Sequence, residues 1–284
     1  MSGRFALQLF FGPLAAGGLA YLGYARGKSW PLFAAGLFLV VYLALIVRRP
    51  LRRRRALARP FPEAWRTILQ RNVAFYSDLD PPGQAHFEKN VQWMVADLDF
   101  EAVGDVELDD ELRVLSVAGA AVLFHHLGVE PKVRRTILLY PDHFDERYDP
   151  SRHAPILGMV HRQGPIVFSR RALRNGWNRK TDASNVCIHE WAHVLDLDDG
   201  FADGIPVLVD DETEWDEVLA EELERVRRGR SALRPYAGTN RAELFACAAE
   251  AFFERPRPLK KKHAELYGLL VEAFRFDPLG ERSR

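Results

Sequence analysis

The chain of 284 residues can form one large domain or two small ones, and its apolar (48%) and charged (27%) fractions are those of a globular protein. The formal net charge of +0 hides a segregation: residues 1–60 carry ten Lys or Arg and no Asp or Glu, leaving 29 basic and 39 acidic side chains, a net of −10, in residues 61–284. That split argues against a nucleic-acid binder, and two cysteines without framework spacing, Cys187 and Cys247, argue against a disulfide-stapled secreted fold and fit a reducing compartment.

Two apolar runs open the chain. Residues 5–24 contain no charge, and residues 31–47 are rich in Leu, Val, Phe and Ala. Each is near the length that crosses a bilayer of about 30 Å. The short connector between them predicts a transmembrane helical hairpin over 1–47, with Tyr21, Tyr24 and Trp30 at the interface. Small residues around Ala15 to Ala20 resemble a signal-peptide cleavage site, but a second long apolar run follows at once. Arg48, Arg49, Arg52 to Arg55 and Arg59 follow the hairpin, against Arg26 and Lys28 in the connector. The excess predicts a basic juxtamembrane linker over 48–60 and a cytoplasmic domain over 61–284, held at a bacterial-type inner membrane.

Residues 63–127 read as mainly helical, with Trp65, Ile68, Leu69 and Val73, then Phe87, Val91, Met94 and Leu98, at helical spacing. Asp109 and Asp110 open a helix running to Leu127, whose end carries His125 and His126, placed to interact with the helix dipole. Thr136–Tyr140 and Gly164–Ser169 read as strands, the second as an edge strand able to pair with an extended peptide. Helices are predicted from Asp182 or Ser184 to about Asp198, and over 212–228, 241–254 and 259–276.

The first of these four contains His189-Glu190-Trp191-Ala192-His193. Residues at i and i+4 share a helix face, so two imidazoles reach one small cation, while Glu190 flanks it as a candidate general base. A catalytic zinc site needs a third protein ligand and an open position. The helix does not continue to a third histidine, since Asp196 and Asp199 stand where that pattern would place glycine and histidine. Glu243 and Glu250, two turns apart on helix 241–254, are the best carboxylate candidates, with Asp196, Asp198, Asp199 and Asp203 as alternatives. Glu243 also suits a capping box with Asn240, and Glu250 or Asp196 suits a role as acceptor of a histidine N–H. Cys187 and Cys247 read as small buried apolar residues.

Gly164-Pro-Ile-Val-Phe-Ser169, Ile188 to Asp196, Gly204-Ile-Pro206, Tyr236-Ala237 and Ala242 to Phe253 together resemble the Mlc titration factor A family of zinc peptidases, and weaker similarity extends the resemblance over most of residues 61–284. The resemblance implies an α+β, mainly helical, zincin-like (gluzincin) domain with a small sheet, similar to the protease domain of anthrax lethal factor. It implies Zn2+ held by His189, His193 and Glu243, Glu190 as base, and Tyr236 as an oxyanion donor, with Asp196 and Glu250 left as supporting acceptors. It further implies a cytosolic peptidase of aminopeptidase type whose founding member binds the repressor Mlc. The hairpin over residues 5–47 departs from that founding pattern. The reading is therefore a membrane-anchored zinc peptidase acting on peptides or proteins. Its alternative is a membrane-tethered module that sequesters a transcriptional regulator with little proteolysis.

Overall fold

A computed structural model describes residues 13–18, 20–21, 23–27, 29–129, 136–141, 158–160, 164–179, 182–198, 200–206, 209 and 211–280. Contacts divide the chain into two compact units, Met1–Pro60 and Phe61–Arg284.

In the first unit, residues 13–18, 20–21 and 23–25 are helical and Gly27 turns the chain at φ +63°. The predicted first span, about 5–24, falls largely outside the described residues. Helix α1 (Trp30–Leu57) follows, with proline in its first turn. Its 28 residues reach about 42 Å at 1.5 Å each. Among the described residues it is the one helix long and apolar enough to cross a membrane. It overruns the predicted 31–47 because arginine is a good helix former, so the arginines expected in a linker extend the helix through Pro50. Small residues, Ala16, Gly23, Pro31 and Ala35, are buried within this unit, whereas Phe33, Leu37 and Leu45 are exposed.

The second unit begins with α2 (Glu63–Asn72), α3 (Ala74–Asp78) and α4 (Pro81–Asp97). Asp80 caps α4 by accepting the Gly83 N–H at 2.8 Å. Strand β1 (Asp99–Ala102) leads to α5 (Asp110–Leu123), which Asp109 caps through the Leu112 N–H at 2.7 Å. Helix α5 is buried on nearly every side, as its almost uninterrupted apolar sequence requires.

Strands β2 (Thr136–Tyr140), β3 (Gly158–Val160) and β4 (Ile166–Ser169) complete a four-stranded sheet of order β1-β2-β4-β3. The first three in that order run parallel, with Ile137 opposite Ile166, and β3 is antiparallel to β4. The predicted edge strand is therefore interior: all four residues of β4 are buried between β2 and β3. A continuous apolar run marks a strand covered on both faces, and the edge role passes to β3.

Helices α6 (Arg170–Asn178) and α7 (Val186–Asp196) follow the sheet. Neither Asp182 nor Ser184 caps α7. Asn185 does, accepting the Cys187 and Ile188 N–H groups at 3.0 and 3.3 Å. The unit ends with α8 (Glu212–Arg227), a 3-10 turn (Pro235–Gly238), α9 (Arg241–Glu254), α10 (Pro256–Lys262) and α11 (Ala264–Phe274). The single last helix expected over 259–276 is broken at His263, whose backbone leaves the helical region at φ −138° and ψ 59°.

Helix α7 lies between α5 and α9. Gly119 of α5 permits the first contact, since a Cβ there would stand 2.7 Å from the Cys187 carbonyl oxygen. Trp191 Nε1 donates to the Ser116 carbonyl at 2.7 Å and Trp177 Nε1 to that of Leu115 at 3.1 Å. Both cysteines are free and buried; burial pushes the Cys187 thiol far above its usual range.

At the end of α5, His125 packs against Phe75, His86 and His126, with ring centroids 5.5, 5.2 and 4.6 Å away. Burial, then the neighbouring histidines, lowers its pKa to about 4. A neutral imidazole cannot supply the cation that the predicted dipole role requires.

Candidate metal centre

Helix geometry turns His189 and His193 to one side of α7, where their rings stand 4.8 Å apart at 89°. Helix α9 brings the carboxylate. His189 Nε2 lies 2.9 Å, and His193 Nε2 3.4 Å, from Glu243 Oε2. The capping box anticipated for Glu243 forms only by half. Asn240 accepts the Glu243 N–H at 2.9 Å, but the Glu243 carboxylate turns to the histidines. Burial opposes its ionisation, yet the hydrogen bonds from His189 and His193 outweigh burial and hold it well below the usual carboxylate range.

The other face of His189 is also occupied. Nδ1 lies 2.7 Å from Glu250 Oε1, and Glu250 is fully buried. Glu250 also accepts the Asn185 N–H and a bond from Arg234 Nη2. Arg234 Nη2 is 3.0 Å from His189 Nδ1, but Nδ1 already donates to Glu250, so the two donors merely touch. The bond from Nδ1–H to Glu250 fixes the tautomer in which Nε2 would be the ligand atom, once the proton it shares with Glu243 gives way to a metal. Burial works against protonating His189, but Glu250 and the other partners prevail and raise its pKa well above the ordinary value.

The ligand atoms of His189, His193 and Glu243 all lie within 4.8 Å of one another. Two imidazole nitrogens and one carboxylate oxygen are a donor set for a divalent transition metal, with a coordination position left over. His189, Cys247 and Glu250 form a second such group. The guanidinium of Arg234 already spans it, donating from Nε to Cys247 Sγ at 3.1 Å and from Nη2 to Glu250. That group supports the first instead of holding a second cation.

Glu190 is 3% exposed, and burial raises its carboxyl pKa against the opposing pull of His189 and His193. The edge strand lies directly on it: a Cβ on Gly158 would stand 2.4 Å from Glu190 Oε1. Tyr236, in the 3-10 turn, is 51% exposed, with its ring 6.0 Å from that of His189 and under the Arg234 guanidinium at 5.5 Å. Burial of its hydroxyl, then the charge of Glu243, pushes its pKa up to about 12. Asp196 is directed elsewhere, accepting the Gly204 N–H at 2.8 Å and so fixing the loop after α7. Of the remaining carboxylate alternatives, Asp198 and Asp203 are in neither candidate metal group, and Asp199 lies outside the described residues. Sequence reasoning missed Arg234, Asn185 and Gly158. Arg234 stands two residues before Tyr236, but only the fold shows that its charge is turned inwards.

Comparison with known proteins identifies the family. The model of the glucose-regulated metallo-peptidase M90 family matches residues 48–275. The chain belongs to that M90 family. It is 30% identical over 245 residues to the uncharacterized protein slr2042 of Synechocystis, covering 80% of this chain and 89% of that relative. It is 30% identical over 165 residues to Mlc titration factor A of Pectobacterium atrosepticum and 32% over 170 residues to that of Serratia proteamaculans. The two matches span 60% and 62% of those relatives' lengths. Membership makes the chain a metallopeptidase-family protein, mainly helical with a small sheet, and its clustered histidines and carboxylates are groups that could hold a metal ion.

Proposed function

We propose that this chain is a zinc peptidase anchored in a bacterial-type cytoplasmic membrane, with residues 61–284 as its peptidase domain on the cytoplasmic side. The observation that carries the chemistry is the convergence of His189 Nε2 and His193 Nε2 on one oxygen of Glu243. When bound there, zinc supplies Lewis acidity, polarising a carbonyl and acidifying water. Glu190 accepts the attacking water's proton on its carboxylate and returns it to the leaving amine. Its burial, which raises its pKa, matches it to both halves of that transfer. Tyr236 keeps its proton at neutral pH and donates a hydrogen bond to the oxyanion.

The anchor reading rests on the length of α1, its exposed Phe33, Leu37 and Leu45, and the arginines of its last turns. A reporter that is active only in the cytoplasm, fused after Arg284, should be active; an inactive but intact fusion would reverse the orientation.

The full chain in detergent should bind about one zinc ion and cleave peptides. Glu190→Gln should retain the metal and lose cleavage by about a thousandfold or more; undiminished turnover overturns the assigned base. Comparing peptides with free and acetylated N-termini tests the aminopeptidase expectation.

The name Mlc titration factor A, borne by two of the relatives, favours a second reading in which the domain sequesters a transcriptional regulator. In that case Glu190→Gln retains both the partner and the biological effect. Loss of the effect with Glu190 alone returns the argument to proteolysis.

A further inference from the structure

His263 and Glu222 form a buried pair outside the metal centre, 1% and 2% exposed. His263 Nδ1 lies 2.6 Å from Glu222 Oε2, and the other Glu222 oxygen accepts from Arg225 at 3.0 Å. His263 Nε2 faces the Ala232 N–H at 3.0 Å and Ser231 Oγ at 3.3 Å.

Serine, histidine and glutamate in that order imitate a hydrolase triad, but the hydrogen bonding disqualifies it. With Nδ1 donating to Glu222, Nε2 offers one lone pair, and the Ala232 amide takes it. Ser231 Oγ in turn accepts the Leu233 N–H at 3.0 Å. The imidazole is a two-ended tie between α8 and the start of the loop that leads to the metal centre. Its own backbone is fixed at the junction of α10 and α11, donating to the Leu259 carbonyl at 2.8 Å and accepting from the Tyr267 N–H at 2.9 Å. The far end of the loop returns to α8 as well. Arg227 donates to the Gly238 carbonyl at 3.0 Å and to that of Thr239 at 3.4 Å. Between the two ties stand Arg234, which grips Glu250 and Cys247, and Tyr236, which faces His189.

We propose that Glu222 and His263 are positioning residues that hold Arg234 and Tyr236 at the metal centre. The effect on turnover rests on the reading of Tyr236 as the oxyanion donor; the tie itself does not. Ordering a loop residue costs conformational entropy, so a loop freed at one end spreads over conformations in which Tyr236 is out of reach. Tyr236 contributes to the transition state and not to ground-state binding, so the loss belongs in kcat.

The test uses the full chain in detergent, with Glu222→Ala, the rescue variant Glu222→Gln and, at an exposed residue, Ala232→Pro, which removes the N–H that Nε2 accepts and fixes φ there, with Ala232→Gly as the control for the side-chain change alone. Glu222→Ala and Ala232→Pro should speed amide exchange over residues 233–238 about tenfold, leaving residues 186–196 protected and zinc bound. They should lower kcat about tenfold with KM within about twofold. Glu222→Gln keeps an acceptor oxygen for Nδ1 and should stay near wild type in both readouts. Unchanged exchange over 233–238 in Ala232→Pro overturns the proposal, as does a Glu222→Gln protein as impaired as Glu222→Ala. Unfolding of Glu222→Ala leaves the decision to Glu222→Gln and to Ala232→Pro set against Ala232→Gly. If wild type binds zinc but cleaves nothing, the peptidase reading fails while the exchange data still decide the tie.

Discussion

His189 is held between two carboxylates of one helix, Glu243 at its Nε2 and Glu250 at its Nδ1, 2.9 and 2.7 Å away. The two glutamates stand two turns apart on α9, so one helix supplies both the carboxylate proposed as a ligand and the acceptor at Nδ1. Arg234 and the Asn185 amide complete the shell around Glu250, which makes Glu250 the group through which the start of α7, the loop before α9 and α9 itself are registered.

Removing Glu250 should therefore cost more than a hydrogen bond. Glu250→Ala leaves the His189 Nδ1–H, the Arg234 guanidinium and the Asn185 amide without their shared acceptor. We expect a loss of about 3–5 kcal/mol by denaturant titration and a metal affinity about 10–100-fold weaker by chelator competition. Glu250→Gln keeps one acceptor oxygen and should retain most of the stability. Equal losses in the two variants would show that the packing of Glu250, not its bonding, matters.

The parts of the site carried by regular periodicity were legible in the sequence. His189 and His193 share a face because a helix repeats every 3.6 residues, and Glu243 and Glu250 share theirs for the same reason. Their meeting across α7 and α9 is a tertiary fact that spacing cannot express; only the family resemblance ranked Glu243 first. The sheet edge was misread because Gly164–Ser169 is the stronger strand signal, while β3 has three residues and no alternation to detect. Asn185 was passed over as a cap because Asp182 and Ser184 stand just before it and carry equally good capping side chains. The break at His263 follows from its bonds to Glu222 and Ala232, residues 41 and 31 positions away; the local amphipathic pattern continues through it.

Gly158 gives a sharp test of the wall beside Glu190. A methyl group there would meet Glu190 Oε1 at 2.4 Å and Val186 Cγ2 at 2.6 Å, so either the strand or the carboxylate must move. Displacements of about 1 Å at a reacting group cost about a hundredfold in rate. Gly158→Ala should therefore lower kcat by about that factor while zinc content, for which His189, His193 and Glu243 are the proposed ligands, stays at wild type. Wild-type turnover in Gly158→Ala would show that β3 yields without disturbing Glu190.

The acid limb of the stability profile should belong in part to His125. Its folded pKa of about 4 lies below the ordinary 6.5, so between those values the unfolded chain binds the extra proton. Stability then rises with pH through this window and is lost as pH falls from about 6.5 to 4, by about 3 kcal/mol at most. His125 Nδ1 is buried with no hydrogen-bond partner among the described residues, and the neighbours are aromatic, so His125→Phe should fold. Its melting temperature should exceed that of wild type by a margin that grows below pH 6.5. A constant difference across the range would remove His125 from the acid transition.

Glu254 should act in the opposite sense at higher pH. Burial, then the charges of Glu250 and Asp182, raises its pKa from 4.5 to about 8. One oxygen accepts from Asn185 Nδ2 at 3.0 Å, and the other is buried without a hydrogen-bond partner among the described residues. The folded chain therefore keeps a proton that the unfolded chain releases, and stability falls as pH rises from about 4.5 to 8, then levels. Ionising Glu254 sets a buried charge against those of Glu250 and Asp182. Glu254→Gln retains the acceptor for Asn185 and removes the titration. Its melting temperature should match that of wild type near pH 5 and exceed it by several degrees near pH 8, a gain on the order of 1–3 kcal/mol. Equal midpoints for the two proteins at both pH values would assign the alkaline loss to another group.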